Sequence, residues 1–596
     1  MSANERAKPV GSLLFVLHSH LPYVMNHGRW PHGTDWICEA AAETYLPLLE
    51  EINRLAVKGI RANITIGITP VLAEQLAHPK FAEEFDLYLQ NKIEASYSDE
   101  QHFQEQGFAD LAELTRYWRD WFSRVKHQFD VRYERNIIGA FRMAQESGLV
   151  EIMTSGATHG YMPLLGFDST IQGQIKQGVQ TYQRHFGCNP RSFWLPECAY
   201  RPRYLWSYPV QPKSGRLQPY LRKGVEEFLG ENGLRVFFVE NHLLLGATAA
   251  SRRPTSSAMY SGEALEGLKL ADKTEPLYQP YYVQTEGSQD PVAVFGRDNK
   301  TANQVWSAWE GYPGDGNYLD FHKKRLPGAL RYWSVTGPRV DMNDKQRYIP
   351  EAAAQRVAEH ARHFVELTKK TARDVAEKTG KPPVICAPYD TELFGHWWFE
   401  GVSWLGQVLE AFAEDGEIEL RTVSESLDRQ PPAETVRLPE GSWGEGGFHH
   451  VWLNPETSWT WELVYEAEAR MHHMAMTYRN REDLEPLLKQ CARELLLMTA
   501  SDWQFNISTG GSVEYSRERL QEHYERFQKL AGITEKKAGG QEPSEEDVQF
   551  YRELEWKDNI FPDIDPGWFG ALEHPISGNL PATTPTIEAV SPNSPA

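Results

Sequence analysis

The chain has little cysteine. Cys38, Cys188, Cys198, Cys386 and Cys491 are the five in 596 residues, an odd number with no Cys-x-x-Cys pair. This excludes a disulfide-stapled scaffold and a cysteine zinc site, and it points to a reducing, cytoplasmic setting. Positive charge is also scarce: 61 Lys and Arg face 82 Asp and Glu, a net charge of −21. Such a surface repels phosphate backbones and anionic lipid heads, so neither nucleic acid nor a membrane is an expected partner. Long apolar runs are missing too. Residues 13–17 are shorter than a signal-peptide core, and nothing approaches the roughly 18 apolar residues of a membrane span. No Gly-x-Gly-x-x-Gly turn follows the first apolar run, and neither a Gly-x-Ser-x-Gly elbow nor a Walker-type loop occurs. Dinucleotide, serine-hydrolase and nucleotide chemistry are disfavoured accordingly.

What the chain does have is length, pattern and aromatic rings. At about 150 residues per domain it allows roughly four domains. Its 41% hydrophobic and 24% charged residues are ordinary for a globular protein. Seven short apolar or β-branched runs, at 12–17, 62–69, 150–154, 192–195, 235–240, 292–295 and 383–387, read as buried strands. Helical patterns lie between several of them. One covers 38–55; another covers 351–379, entered through Pro350 and stopped by Gly380. Alternation of this kind implies a parallel sheet, and seven strands predict an α/β fold of the (β/α)7 barrel type, a distorted TIM-like ring. The barrel is expected over 1–416, with segments near 91–126 and 203–280 inserted as a small domain. Helical runs at 459–478, 483–501 and 513–531 predict a C-terminal α-helical domain over 417–531. Residues 532–596 read as an extended tail, flexible at the proline-rich end 581–596. A monomer is the expected state.

In a parallel barrel, working groups project from the C-terminal ends of the strands. His18-Ser-His20-Leu-Pro22 follows the first run, Thr158-His159-Gly160 the third, Trp194-Leu-Pro-Glu197-Cys198 the fourth and Pro388-Tyr-Asp390-Thr-Glu392 the seventh. One polar loop residue means little, but recurrence at one end of four strands is a signal. Two chemistries fit. Glu197 and Asp390 could flank a glycosidic bond, one attacking or stabilising the anomeric carbon while the other protonates the leaving oxygen. Trp194, Trp397 and Trp398 would then offer flat faces to sugar rings, and the histidines would bond hydroxyls. Alternatively His18 and His20, on one side of an extended segment, could join His159 and Asp390 around a metal that activates water. A glycan-binding protein without activity would keep the tryptophans and need neither acid.

These motifs resemble those of glycoside hydrolase family 57, and within it the members that branch α-1,4-glucans. Five short regions carry the resemblance: 18–23, 156–160, 194–202, 389–397 and a later stretch near 453–456. It implies that Glu197 is the nucleophile and Asp390 the general acid/base of a double displacement on an amylose- or glycogen-like α-glucan. The glucosyl-enzyme would pass its chain to a 6-hydroxyl, with no cofactor and no metal. His18, His20, His159, Trp194 and Trp397 would contact substrate, and Trp36, Trp306, Trp443 and Trp452 would wall the cleft. Asp502 and Trp503 would line it from a helix end, and Tyr260 would cap it from a flexible loop. Hydrolysis or 4-α-glucan transfer without branching is the alternative within the same family.

Overall fold

The run from Leu13 to Leu17 is apolar at every position because the strand it forms is covered on both faces. The computed structural model describes residues 8–29, 31–249, 270–285, 291–307, 310–337, 339–572 and 574. All seven expected strands are present: β1 (Gly11–Ser19), β2 (Ile64–Ile68), β3 (Val150–Ser155), β4 (Phe193–Trp194), β5 (Val236–Val239), β6 (Ala293–Gly296) and β7 (Val384–Asp390). The strands β7, β1, β2, β3 and β4 pair in that order, all parallel. The next neighbour, β5, joins through a single parallel bridge between Ser192 and Val236, and β5 pairs with β6 in parallel. The ring closes where the Asp298 N–H donates to the Cys386 carbonyl at 2.9 Å. Two parallel half-sheets thus meet at two thin seams, which is what distorts the barrel. A further parallel strand, β8 (Ile418–Leu420), pairs with Gly11–Leu13 at the base of β1, so the sheet runs past 416.

Side chains alternate across a strand, and here the alternation reaches the mouth of the barrel. Leu14 and Val16, Val236 and Phe238, Ala293 and Phe295, and Val384 and Cys386 fill the interior together with Met153, Trp194 and Cys198. Stepping on by two towards the C-terminal ends reaches His18, Glu240 and Arg297, and two such steps on β7 reach Asp390. The faces that pack the barrel therefore also supply its rim.

The insertions have different partners. Helices α1 (Pro79–Glu105) and α2 (Ala109–His127) form a hairpin held to the 324–332 segment, where Trp118 Nε1 donates to the Arg331 carbonyl at 2.6 Å. The segment after Glu197 forms a small antiparallel pair, Tyr204–Trp206 with Tyr220–Arg222. Its rings pack instead on the helical region, Tyr208 lying 5.1 Å from Tyr465. The long predicted helix is α3 (Pro350–Thr379), and it ends at Gly380 in left-handed backbone.

The helical region comprises α4 (Ser458–Tyr478), α5 (Glu485–Met498), α6 (Asp502–Thr509), α7 (Val513–Ala538) and α8 (Glu545–Lys557). The chain beyond 531 is not an extended tail as far as residue 572. The end of α7 and all of α8 are helical, and Phe561, Ile564 and Phe569 are buried. Apolar anchors three and five residues apart tie this stretch down. Residues 581–596 lie outside the described residues. No described helix is long and apolar enough to cross a membrane.

Candidate active site

Glu197 leaves β4 on a strained turn. Both Glu197 and Cys198 take left-handed backbone, with φ of 61° and 48°. For residues other than glycine this costs on the order of 1–3 kcal/mol each and persists only where the surroundings enforce it. Here they do: the Trp443 N–H donates to the Glu197 carbonyl at 3.2 Å, and Tyr200 and Gly441 exchange backbone bonds of 2.9 and 3.1 Å. The same contact brings the Trp443 indole N–H to Glu197 Oε2 at 2.8 Å, while Ser501 Oγ donates to Oε1 at 2.6 Å. Burial pushes the Glu197 carboxyl up, and these two donors partly offset it.

Three imidazoles stack beside it. His18 lies on Trp194 with ring centres 4.7 Å apart, His20 on His159 at 4.0 Å, all within 20° of parallel. His18 Nε2 meets His159 Nε2 at 3.0 Å, and His159 Nδ1 meets Ser501 Oγ at 2.9 Å. His20 Nδ1 meets Thr69 Oγ1 at 3.1 Å and its Nε2 meets Asp502 Oδ2 at 2.9 Å. Burial holds His18 and His159 well below the usual histidine range. Burial opposes protonation of His20 as well, but the Asp502 carboxylate outweighs it and raises this group. Ligand atoms of His20, His159 and Asp502 lie within 4.8 Å of one another. Stacked rings, however, keep their lone pairs in parallel planes, and both nitrogens of His20 and of His159 are already hydrogen-bonded. Asp390 is not part of that trio. The donor set fits a hydrogen-bonded support better than a metal cage. It also turns these nitrogens toward one another rather than toward sugar hydroxyls.

Asp390 ends β7 in register with His18 on β1. Its half-buried carboxylate has no hydrogen-bond partner among the described residues. Burial, then the nearby Glu392 and Glu197 carboxylates, push it up to about 8, against the pull of Arg297 and His20. Glu392 accepts from the His20 backbone N–H at 3.2 Å and from the Tyr45 hydroxyl, and burial raises it to about 7. Close packing makes this possible. A Cβ on Gly395, whose φ is 108°, would lie 1.9 Å from the Glu43 carbonyl oxygen. Glu197 is thus held as an acceptor by two donors, while Asp390 keeps a proton near neutrality. Carboxyls pushed apart in this way can divide the roles of nucleophile and acid.

Of the remaining expected residues, Trp443 bonds Glu197, whereas Trp194 is corrected: it is fully buried against His18 and Trp443 with no face open to a sugar. Trp397 is 53% exposed on the rim, its ring 4.4 Å from Phe321 and its backbone N–H on the Glu392 carbonyl at 3.0 Å. Trp36 is half-buried against His32 and Tyr515, and Trp306 is exposed on a short helix after β6. Trp452 and Trp503 are corrected: both are fully buried. Trp452 stacks on Tyr161 at 4.2 Å, and Trp503 gives its N–H to the Leu497 carbonyl at 2.9 Å. Trp398 is buried as well, its ring 5.4 Å from those of Tyr318 and Trp404. Tyr260 lies outside the described residues. Sequence reasoning missed Ser501, Glu392, Tyr45, Thr69 and the Glu240–Arg297 ion pair, 2.5 Å long, across the ends of β5 and β6. Counting by two along those strands finds Glu240 and Arg297; a lone serine carries no such signal.

The geometry agrees with comparisons to known proteins. The family model for glycosyl hydrolase family 57 matches residues 14–439, and the model described as 1,4-alpha-glucan branching enzyme, C-terminal, matches residues 463–569. A 1,4-alpha-glucan branching enzyme of Thermococcus kodakarensis is 44% identical over 561 residues, 94% of this chain and 78% of the relative. The crystal structure of a branching enzyme from Pyrococcus horikoshii superposes with a TM-score of 0.84 at 40% identity, covering 95% of this chain and 98% of that one. An alpha-amylase from Thermotoga maritima gives 0.77 at 29% identity, covering 94% and 99%. A parallel barrel with acids at its mouth, a helical region docked beside it and these matches along nearly the whole length have one reading: the chain belongs to glycosyl hydrolase family 57.

Proposed function

We propose that this protein is a retaining 1,4-α-glucan branching enzyme, with Glu197 as nucleophile and Asp390 as general acid/base. The observation that carries it is the pair of carboxyls at one barrel mouth, one buried between two donors and the other raised to about 8 without any. In the first step a Glu197 oxygen bonds the anomeric carbon as the C1–O4 bond breaks, and Asp390 gives its proton to O4. In the second, Asp390 takes the proton of an acceptor 6-hydroxyl, O6 bonds C1, and Glu197 departs as carboxylate. Water competes for the glucosyl-enzyme, so transfer needs an acceptor held in place. Stacking on exposed rim aromatics such as Trp397 supports that. The names of the relatives support the same substrate, an amylose- or glycogen-like glucan, and the five free thiols fit a reducing, cytoplasmic setting.

Amylose incubated with the protein and followed by proton NMR tests the reading. Branching produces new α-1,6 anomeric signals. The likeness to an alpha-amylase favours a second reading, hydrolysis, for which reducing ends accumulate without those signals.

A further inference from the structure

We infer that Ser501 is a positioning residue for Glu197, and that His18 and His159 set the direction in which its hydroxyl points. The inference rests on Glu197 being the nucleophile. An ionised carboxylate only accepts hydrogen bonds, so the Ser501 hydroxyl, 2.6 Å from Oε1, must spend its one hydrogen there. Ser501 Oγ then has only lone pairs left for His159 Nδ1 at 2.9 Å, which makes Nδ1 the protonated nitrogen of that ring. A neutral His159 therefore offers a bare Nε2 to His18 Nε2 at 3.0 Å, and His18 must be the donor. The far nitrogen of His18, Nδ1, is buried without a partner, as a bare lone pair at the end of a chain allows. Burial, which holds both rings neutral, agrees with this assignment. Every hydrogen in the series thus points toward Glu197.

The backbone secures the same arrangement. The Ser501 N–H donates to the His159 carbonyl at 3.1 Å, and Gly160 and Ala500 form a bridge beside it. Ser501 is fully buried at the junction of α5 and α6, so its hydroxyl has no solvent to turn to. With Trp443 on Oε2, both oxygens of the nucleophile are aimed by donors that come from outside the main barrel strands. The titratable groups facing Glu197 are His159 and Tyr161 from the loop after β3, His20 from the loop after β1, Asp390 from β7 and Asp502 from α6. None of these donates to Oε1, so loss of the serine hydroxyl leaves that oxygen undirected.

Ser501→Ala is expected to lower kcat on amylose about 10- to 100-fold, the worth of one hydrogen bond to a charged group. KM should stay within about twofold, since the lost bond acts on the nucleophile and not on the sugar. The acid limb of kcat/KM should move to higher pH, because Glu197 loses a bond that favours its charged form. Ser501→Thr restores the hydroxyl and should recover most of the rate. Ser501→Cys keeps the volume with a weak donor; if the alanine variant does not fold, a slowed kcat and a raised acid limb in the cysteine variant support the inference equally. A wild-type rate and acid limb in Ser501→Ala or Ser501→Cys would overturn it, as would a Ser501→Thr no faster than Ser501→Ala at equal Tm. Covalent labelling with a fluorinated glycosyl fluoride separates the two readings. A label on Glu197 that forms more slowly in Ser501→Ala supports both. A label on Glu197 that forms equally fast in the variant rejects the role of Ser501 alone, and a wild-type label on another residue rejects both.

Discussion

Two of the three clusters of histidines and carboxylates among the described residues are alike in composition and opposite in behaviour. One is the cleft just described. The other ties three parts of the chain together: His27 Nε2 meets Asp558 Oδ1 at 2.7 Å, Arg526 meets Asp558 Oδ2 at 3.2 Å, and His523 Nδ1 meets Glu494 Oε2 at 2.7 Å. Arg519 donates to the remaining nitrogen of His523 at 3.1 Å. Burial alone would raise Asp558, yet the His27 bond and the charge of Arg526 hold it well below the usual carboxylate range. Asp390, only half-buried, feels other carboxylates most strongly among its charged neighbours, and it rises to about 8. Guanidinium groups balance the cluster around Asp558 and make it a clasp. Neighbouring acids leave the cleft poised to exchange protons. Ligand-type residues in proximity occur in both, so proximity alone does not distinguish a site from a strut.

This contrast can be broken in ordered steps. Glu197→Gln should have the largest effect on activity, a loss on the order of 10⁴-fold or more in kcat with the Tm unchanged, measured on amylose. An active variant would remove the cleft's claim to chemistry. Asp558→Asn should do the reverse. Removing one partner of a buried charged network costs about 3–5 kcal/mol of stability. Denaturant unfolding should show that loss, while kcat below the transition stays within a few-fold. Glu392→Gln tests the charges around Asp390. In the proposed role the acid works protonated, so the rate is expected to fall as pH rises through its pKa. Without the neighbouring carboxylate that pKa drops, and the basic limb of kcat/KM should move down from about 8. The smallest effect concerns His27, lowered to about 4 by burial when folded and ordinary when unfolded. Between about 6.5 and 4 the unfolded chain binds a proton that the folded chain refuses, so stability falls as pH drops through that window. His27→Asn should flatten the slope of Tm against pH there.

Much of the fold is legible in the sequence because strands buried on both faces write themselves as short apolar runs. Loops rich in His, Glu and Asp then mark which ends of the strands are functional. The interior alternation even carries past the apolar part, so Leu14 and Val16 lead to His18, and Ala293 and Phe295 lead to Arg297. The failures share a cause. Whether Trp452 and Trp503 face a sugar or the core depends on what packs against them from remote parts of the chain, and periodicity is silent on that. Ser501 is an unremarkable letter beside Asp502 until α5 and α6 bring it against the loop of His159. The segment beyond 531 reads as a tail because helix α8 buries little of its own surface, its docking resting on Phe561, Ile564 and Phe569 further on.

The turn that carries Glu197 is held by Gly441 and Trp443, and its hydroxyl donor arrives from near residue 500. During synthesis the ribosome therefore releases both acids long before the groups that orient the first of them. A nascent chain cut short after β8 would contain every barrel strand and still lack its trigger. Both donors to the Glu197 carboxylate, Trp443 and Ser501, emerge only after that point.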